Sequence, residues 1–71
     1  MILQARDTEG RLHAVSVSDI YYDEDDRELN VTSVTDEYYT VSDIDKYTAE
    51  ELIRTLASEG KAELLPKYRI E

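Results

Sequence analysis

One segment of the chain carries a complete set of helix signals, and it constrains what the other residues can form. Thr48 and Glu51 have the spacing of a capping box, and Gly60 is placed to end the helix in a left-handed conformation. Between them lies one apolar stripe, made of Leu52, Ile53, Leu56 and Ala57. A single helix over 49–59 with one apolar side requires a sheet to cover that side.

The residues around this helix have the composition of short strands. Runs rich in Val, Ile, Thr and Tyr, which strands prefer, lie at 2–6, 11–17, 19–23, 28–34 and 37–42. The turn from Asp7 to Gly10 is typical of a β-hairpin, because glycine at the fourth loop position can take a positive φ. After the helix, alternate apolar residues predict one more strand, which Pro66 places at an edge or interrupts.

We therefore predict one domain over residues 1–71 of the α+β class. It is a small antiparallel sheet of five to six strands with one amphipathic helix, in the order β-β-β-β-β-α-β, and an SH3-like barrel with the helix as a plug is the alternative arrangement. The predicted core consists of Leu12, Val15, Val17, Ile20, Tyr22, Leu29, Val31, Tyr39, Val41, Ile44, Leu52, Ile53, Leu56, Leu64 and Ile70.

Composition argues against several classes of function. A net charge of −9 is unfavourable for direct nucleic-acid binding, because phosphate contacts need clustered Lys and Arg. The absence of cysteine excludes disulfides and thiolate metal sites. No apolar run approaches the roughly 20 residues of a membrane span, and the first ten residues lack the pattern of a signal peptide. We expect a cytoplasmic protein without membrane contact.

The residues that could carry catalysis or bind metal do not form a known pattern. An EF-hand loop that starts at Asp23 would need Gly and Glu where the chain has Glu28 and Val34. His13 is the only histidine, and the strand pattern places it at the surface or at the boundary of the core. No glycine-rich phosphate loop or nucleophile elbow occurs. We therefore predict no enzymatic activity, no cofactor and no specific metal site.

The negative charge is concentrated in the middle of the chain. Residues 19–45 contain ten acidic residues and one basic residue, Arg27, whereas the rest of the chain contains seven of each. Strand alternation sends part of this charge to the side of the sheet opposite the helix, together with Asn30, Thr32 and Thr40. The predicted partner-binding residues are Asp19, Tyr21, Asp23, Glu24, Asp25, Asp26, Glu28, Asp36, Glu37 and Tyr38.

This concentration leads to a hypothesis of function. Carboxylates in rows, with tyrosines between them, fit a basic surface of another protein, including a nucleic-acid-binding one. The protein would then be a non-catalytic interaction module, and one version is a nucleic-acid mimic that acts as an inhibitor, as small proteins of phages and mobile elements do. The competing interpretation is a charged face that only keeps a small protein soluble.

The alternative function is self-association. The strand after Gly60 has nearly balanced charge, with Lys61 and Lys67 among its bases, and could pair with its counterpart in a homodimer. The protein would then be a structural or scaffold protein that dimerises through its C-terminal edge strand.

The stretch from Asp19-Ile20-Tyr21-Tyr22 to Glu37-Tyr38-Tyr39, followed by a helix that contains leucine, resembles the first half of a LytTR-type DNA-binding domain. In that family an Asp-Ile-x-Tyr strand leads into a hairpin and then a helix. The resemblance covers about half of the chain, and its motifs occur in any hairpin that precedes a helix. Because the chain is acidic where DNA binding needs bases, no DNA-contact residue is assigned.

Overall fold

The computed structural model describes residues 1–71 and contains five strands and one helix. The elements in chain order are β1 (Ile2–Arg6), β2 (Leu12–Asp23), β3 (Glu28–Ser33), β4 (Tyr38–Val41), α1 (Lys46–Glu59) and β5 (Lys61–Glu63). The strands form one sheet in the order β4-β3-β2-β1-β5. The α+β class and the single helix after a run of strands are confirmed.

Strand β2 combines two of the predicted strands, which explains why the sheet has one strand fewer than the predicted order. The predicted strands 11–17 and 19–23 are one continuous strand with a bulge between Val17 and Asp19, so four strands precede the helix instead of five. The bulge inserts one extra residue, Ser18, and changes which side the following residues face. The Ser18 hydroxyl donates to the carbonyls of Thr32 and Ser33, at 3.2 and 3.1 Å. The first half of β2 therefore pairs with β1 and the second half with β3.

The sheet is mixed instead of wholly antiparallel. Strand β5 pairs with β1 in parallel, because α1 returns the chain to the end of the sheet at which β1 starts. Beyond β5, Ile70 forms bridges with both Asp7 and Val41. Thr40 and Glu71 exchange two backbone hydrogen bonds, at 2.9 and 3.1 Å. Residues 70 and 71 thus join β4 to the end of β1 and curl the sheet towards a closed barrel.

The helix begins three residues before the predicted one. Asp45 is the N-cap, and its carboxylate accepts from the Thr48 backbone N–H at 3.0 Å and from the Thr48 hydroxyl at 2.6 Å. These hydrogen bonds lower the pKa of Asp45, because they favour the charged carboxylate. The prediction of Thr48 as N-cap is therefore wrong, since Asp45 supplies the acceptor one turn earlier. Gly60 ends the helix as predicted, with φ of 78° and its N–H on the Leu56 carbonyl.

The core lies between α1 and the inner side of the sheet. Most predicted core residues are buried, and Ile20, Tyr22, Tyr39 and Ile53 are half-buried at its margin. Leu12 was predicted in the core, but it is 55% exposed, because it lies opposite Arg6 on the outer side of β2. The residues that complete the core and were not predicted are Leu3, Ala5 and Ala49.

Candidate protein-binding face

The strand register brings the outward residues of β2, β3 and β4 into one surface. Asp19 lies opposite Thr32, which lies opposite Tyr38. The next row joins Tyr21, Asn30 and Thr40, and Asp23 lies opposite Glu28 at the end of the hairpin. We define the acidic face as the side chains of these eight residues.

The acidic face has three carboxylates and no basic side chain. None of Asp19, Asp23 and Glu28 forms an ion pair, although the molecule has six ion pairs elsewhere. Like charges directly opposite each other on neighbouring strands destabilise a sheet, and Asp23 faces Glu28 in this way. The Asp23–Glu28 pair therefore lowers the stability of the sheet.

Two tyrosines give the acidic face its flat apolar area. Tyr21 is 57% exposed and Tyr38 is 75% exposed. They stand on β2 and β4, on either side of the β3 residues Asn30 and Thr32. An exposed tyrosine provides a large contact area with little side-chain entropy to lose on binding. The two rings and the carboxylates thus belong to one continuous surface.

The β2–β3 turn extends the acidic face at one end. The Asp23 carboxylate accepts from the backbone N–H groups of Asp25 and Asp26, which fixes the turn and leaves both of their side chains exposed. Glu24 lies 3.5 Å from Lys46, a residue at the start of α1. The other nearby base, Arg27, is directed to a different carboxylate, Asp43, at 3.6 Å. Asp25 and Asp26 are therefore without a basic partner.

The β3–β4 turn does not join this surface. Asp36 lies in the β3–β4 turn, at the end of β3 away from the β2–β3 turn, in a left-handed conformation with φ of 62°. Glu37 lies on the side away from Tyr38, next to Tyr39, whose pKa is raised first by burial and then by the nearby Glu37 carboxylate. The ten predicted partner-binding residues therefore do not all belong to one surface. Eight of the ten lie on the acidic face or its adjoining turn, and Asp36 and Glu37 do not.

Lys46 is the residue near this site that the sequence did not indicate. It neutralises Glu24 from a position 22 residues away in the chain. No local pattern could reveal this contact, because it depends on where α1 begins relative to the β2–β3 turn.

No protein-family model, curated protein or solved structure matches this chain. The resemblance to LytTR-type domains thus has no support beyond the residues that suggested it. The geometry of the acidic face is therefore the main indication of function.

The groups with displaced pKa values lie outside the acidic face and have structural roles. The pKa of Asp7 is lowered to about 2, first by its hydrogen bond with His13 and then by the backbone N–H of Arg11. Asp7 lies in the β1–β2 turn, and its Oδ2 is 2.8 Å from Nε2 of His13 on β2.

No cluster of three or more metal-ligating side chains is present. The one helix is neither long nor apolar enough to cross a membrane.

Proposed function

We propose that this protein is a non-catalytic interaction module that binds a basic surface of another protein through the acidic face. The observation that carries the proposal is the register of β2, β3 and β4, which holds three free carboxylates and two exposed tyrosines on one side of the sheet. Backbone pairing holds these groups in place, so a partner finds them already arranged. Such preorganisation reduces the entropy that binding costs.

The type of partner follows from the arrangement of charge. Asp19 and Asp23 are four residues apart on one strand, which corresponds to about 13 Å. Glu28 lies beside Asp23. Fixed rows of negative charge attract proteins that have surfaces built for phosphate backbones. In its most specific form, the proposal is that the protein occupies the nucleic-acid site of a cytoplasmic DNA- or RNA-binding protein and inhibits it, as proteins of phages and mobile elements do.

Two features favour binding over solubility alone as the role of the acidic face. Mixed charge keeps a protein soluble with less self-repulsion than charge of one sign. In addition, a face that only contacts water gains nothing from Tyr38, which is 75% exposed. Exposed tyrosines are instead enriched at surfaces that bind other proteins.

Charge reversal on the acidic face tests the proposal. A partner is first isolated from the native host on immobilised wild-type protein and eluted with stepped salt. Its affinity is then measured for the variant Asp19→Lys/Asp23→Lys/Glu28→Lys. We expect binding at least about tenfold weaker at low salt and a shallower dependence on salt. Duplex DNA or RNA should compete with the wild-type protein if the partner is a nucleic-acid-binding protein.

A matched control changes the same amount of charge elsewhere. The variant Glu9→Lys/Glu50→Lys/Glu59→Lys alters three exposed carboxylates outside the acidic face. It should retain most of the affinity, apart from the effect of net charge on association rate. Equal losses in the two triple variants, or no loss in the first, would show that the acidic face is not the binding surface.

A further inference from the structure

The outer edge of β5 is an unpaired strand edge. Strand β5 stands at the end of the sheet and pairs only with β1. The bonds to β1 include those of the Gly60 carbonyl and the Leu64 N–H, both at 2.8 Å. Because backbone groups alternate along a strand, Lys61 and Glu63 direct their N–H and C=O groups to the free edge. At the other end of the sheet, Glu71 covers Thr40 of β4.

A groove follows this free edge. Its larger part has a volume of about 640 Å³ and is lined by the exposed side of β1, by β5, and by Thr55 and Glu59 in the last turns of α1. A second part of about 300 Å³ shares Thr55 and Glu63 and continues to Tyr47 and Leu65, both of which are exposed. The edge therefore has open space along it and apolar side chains at one end.

We propose that β5 of a second copy of this protein occupies the edge, paired antiparallel around a twofold axis at Ala62. In this register, Lys61 of each copy lies opposite Glu63 of the other. Both are hydrogen-bonded pairs, so the two strands exchange four backbone hydrogen bonds. Each opposite-charge pair across the strands adds stability. A strand with the order Lys-Ala-Glu is thus complementary to itself, as a twofold interface requires.

The distribution of charge permits this contact. Within β5, Lys61 balances Glu63, so the edge strand carries no net charge. The acidic face begins on β2, which is separated from β5 by β1. Across the dimer, the β2 strands of the two copies are five strand spacings apart, or about 24 Å, which is about three times the Debye length of about 8 Å at physiological salt. Repulsion between two copies with a charge of −9 is therefore screened. Added salt should change this dimer much less than it weakens binding to a basic partner, because it screens both the repulsion between the copies and the attraction between Lys61 and Glu63.

The test is sedimentation velocity of the whole chain from about 1 µM to 1 mM, at low and physiological salt. Weak, reversible dimerisation is expected, because a three-residue strand forms a small interface. The variants Lys61→Glu and Glu63→Lys should each weaken association about tenfold, because each places like charges opposite one another. An equimolar mixture of the two should form a heterodimer at least as tight as the wild-type dimer, since every pair is then of opposite charge.

Two further variants separate the edge contact from general charge effects. Lys67→Glu makes the same charge change as Lys61→Glu away from the edge and should weaken association much less. Glu63→Pro removes an N–H from the free edge and leaves the bonds of β5 to β1 intact, so it should abolish the dimer without loss of fold by circular dichroism. A wild-type protein that is monomeric at 1 mM, or a mixture no tighter than either single variant, overturns the proposal. Neither result bears on the acidic face.

Discussion

The two halves of the sheet differ in both charge and closure. The half formed by β3, β4 and the end of β2 carries three carboxylates on its outer face and no base, and Glu71 covers its edge at Thr40. The half formed by β1 and β5 carries Arg6 and Lys61 against Glu63 on its outer side, and its edge is open. The contrast shows that the fold keeps the charged surface and the unpaired edge apart. A basic partner and a second copy would therefore bind at separate places.

The same contrast appears in the turns of the two halves. The β1–β2 turn and the β2–β3 turn each begin with an aspartate, Asp7 and Asp23, whose carboxylate accepts two backbone N–H groups. Asp7 has His13 as a further partner at 2.8 Å, whereas Asp23 lies opposite Glu28. The first carboxylate is thus held by a favourable contact, and the second is held beside a like charge.

The largest effect is expected from opening the closed edge. Ile70 is only 1% exposed and bridges β1 to β4, so Ile70→Ala should cost about 2–4 kcal/mol in the free energy of unfolding. Urea denaturation measures this loss, and hydrogen exchange at the Thr40 amide should accelerate more than at Val31. The control Leu65→Ala, at a side chain that is 51% exposed, should change little. A similar loss in both variants would contradict a specific closing role for Ile70.

A smaller effect is expected at the β1–β2 turn. Asp7→Asn keeps Oδ1 as an acceptor but removes the charge that faces His13, so it should lower stability at pH 7. Because folding lowers the pKa of Asp7 from 3.8 to about 2, its contribution is complete above pH 4 or so and is lost as the pH falls to about 2. Unfolding free energies of both proteins, measured by urea titration from pH 7 to pH 2, should converge at the acid end. A constant difference would refute this assignment.

The smallest effect, with the opposite sign, is expected at the acidic turn. Asp23→Asn keeps the oxygen that accepts from Asp25 and Asp26 and removes the repulsion from Glu28. Stability at pH 7 should remain equal or rise, by no more than about 0.5 kcal/mol. The gain should shrink with added salt, which screens the repulsion. If Asp23→Asn destabilises the protein as much as Asp7→Asn does, the two turns are equivalent and the contrast fails.

Much of the acidic face could be predicted because strand alternation is a local property. Tyr21 and Asp23 share a side of β2 whatever the rest of the fold does. Glu37 was misplaced because charge, and not alternation, made it a candidate, and it lies beside Tyr39 on the other side of the strand. Leu12 is a core candidate only because it is apolar, although alternation with the buried Val15 and Val17 puts it on the outer side.

The sequence by itself determined the helix stop at Gly60, the alternation within each strand and the position of the excess negative charge, because these depend on neighbours within a few residues. Only the tertiary structure decided that β2 is continuous through Ser18, that β5 pairs in parallel with β1 and that Ile70 closes one edge. Each of these depends on contacts between residues far apart in the chain. Their energies come from burial and pairing that exist only after the sheet has formed around the core.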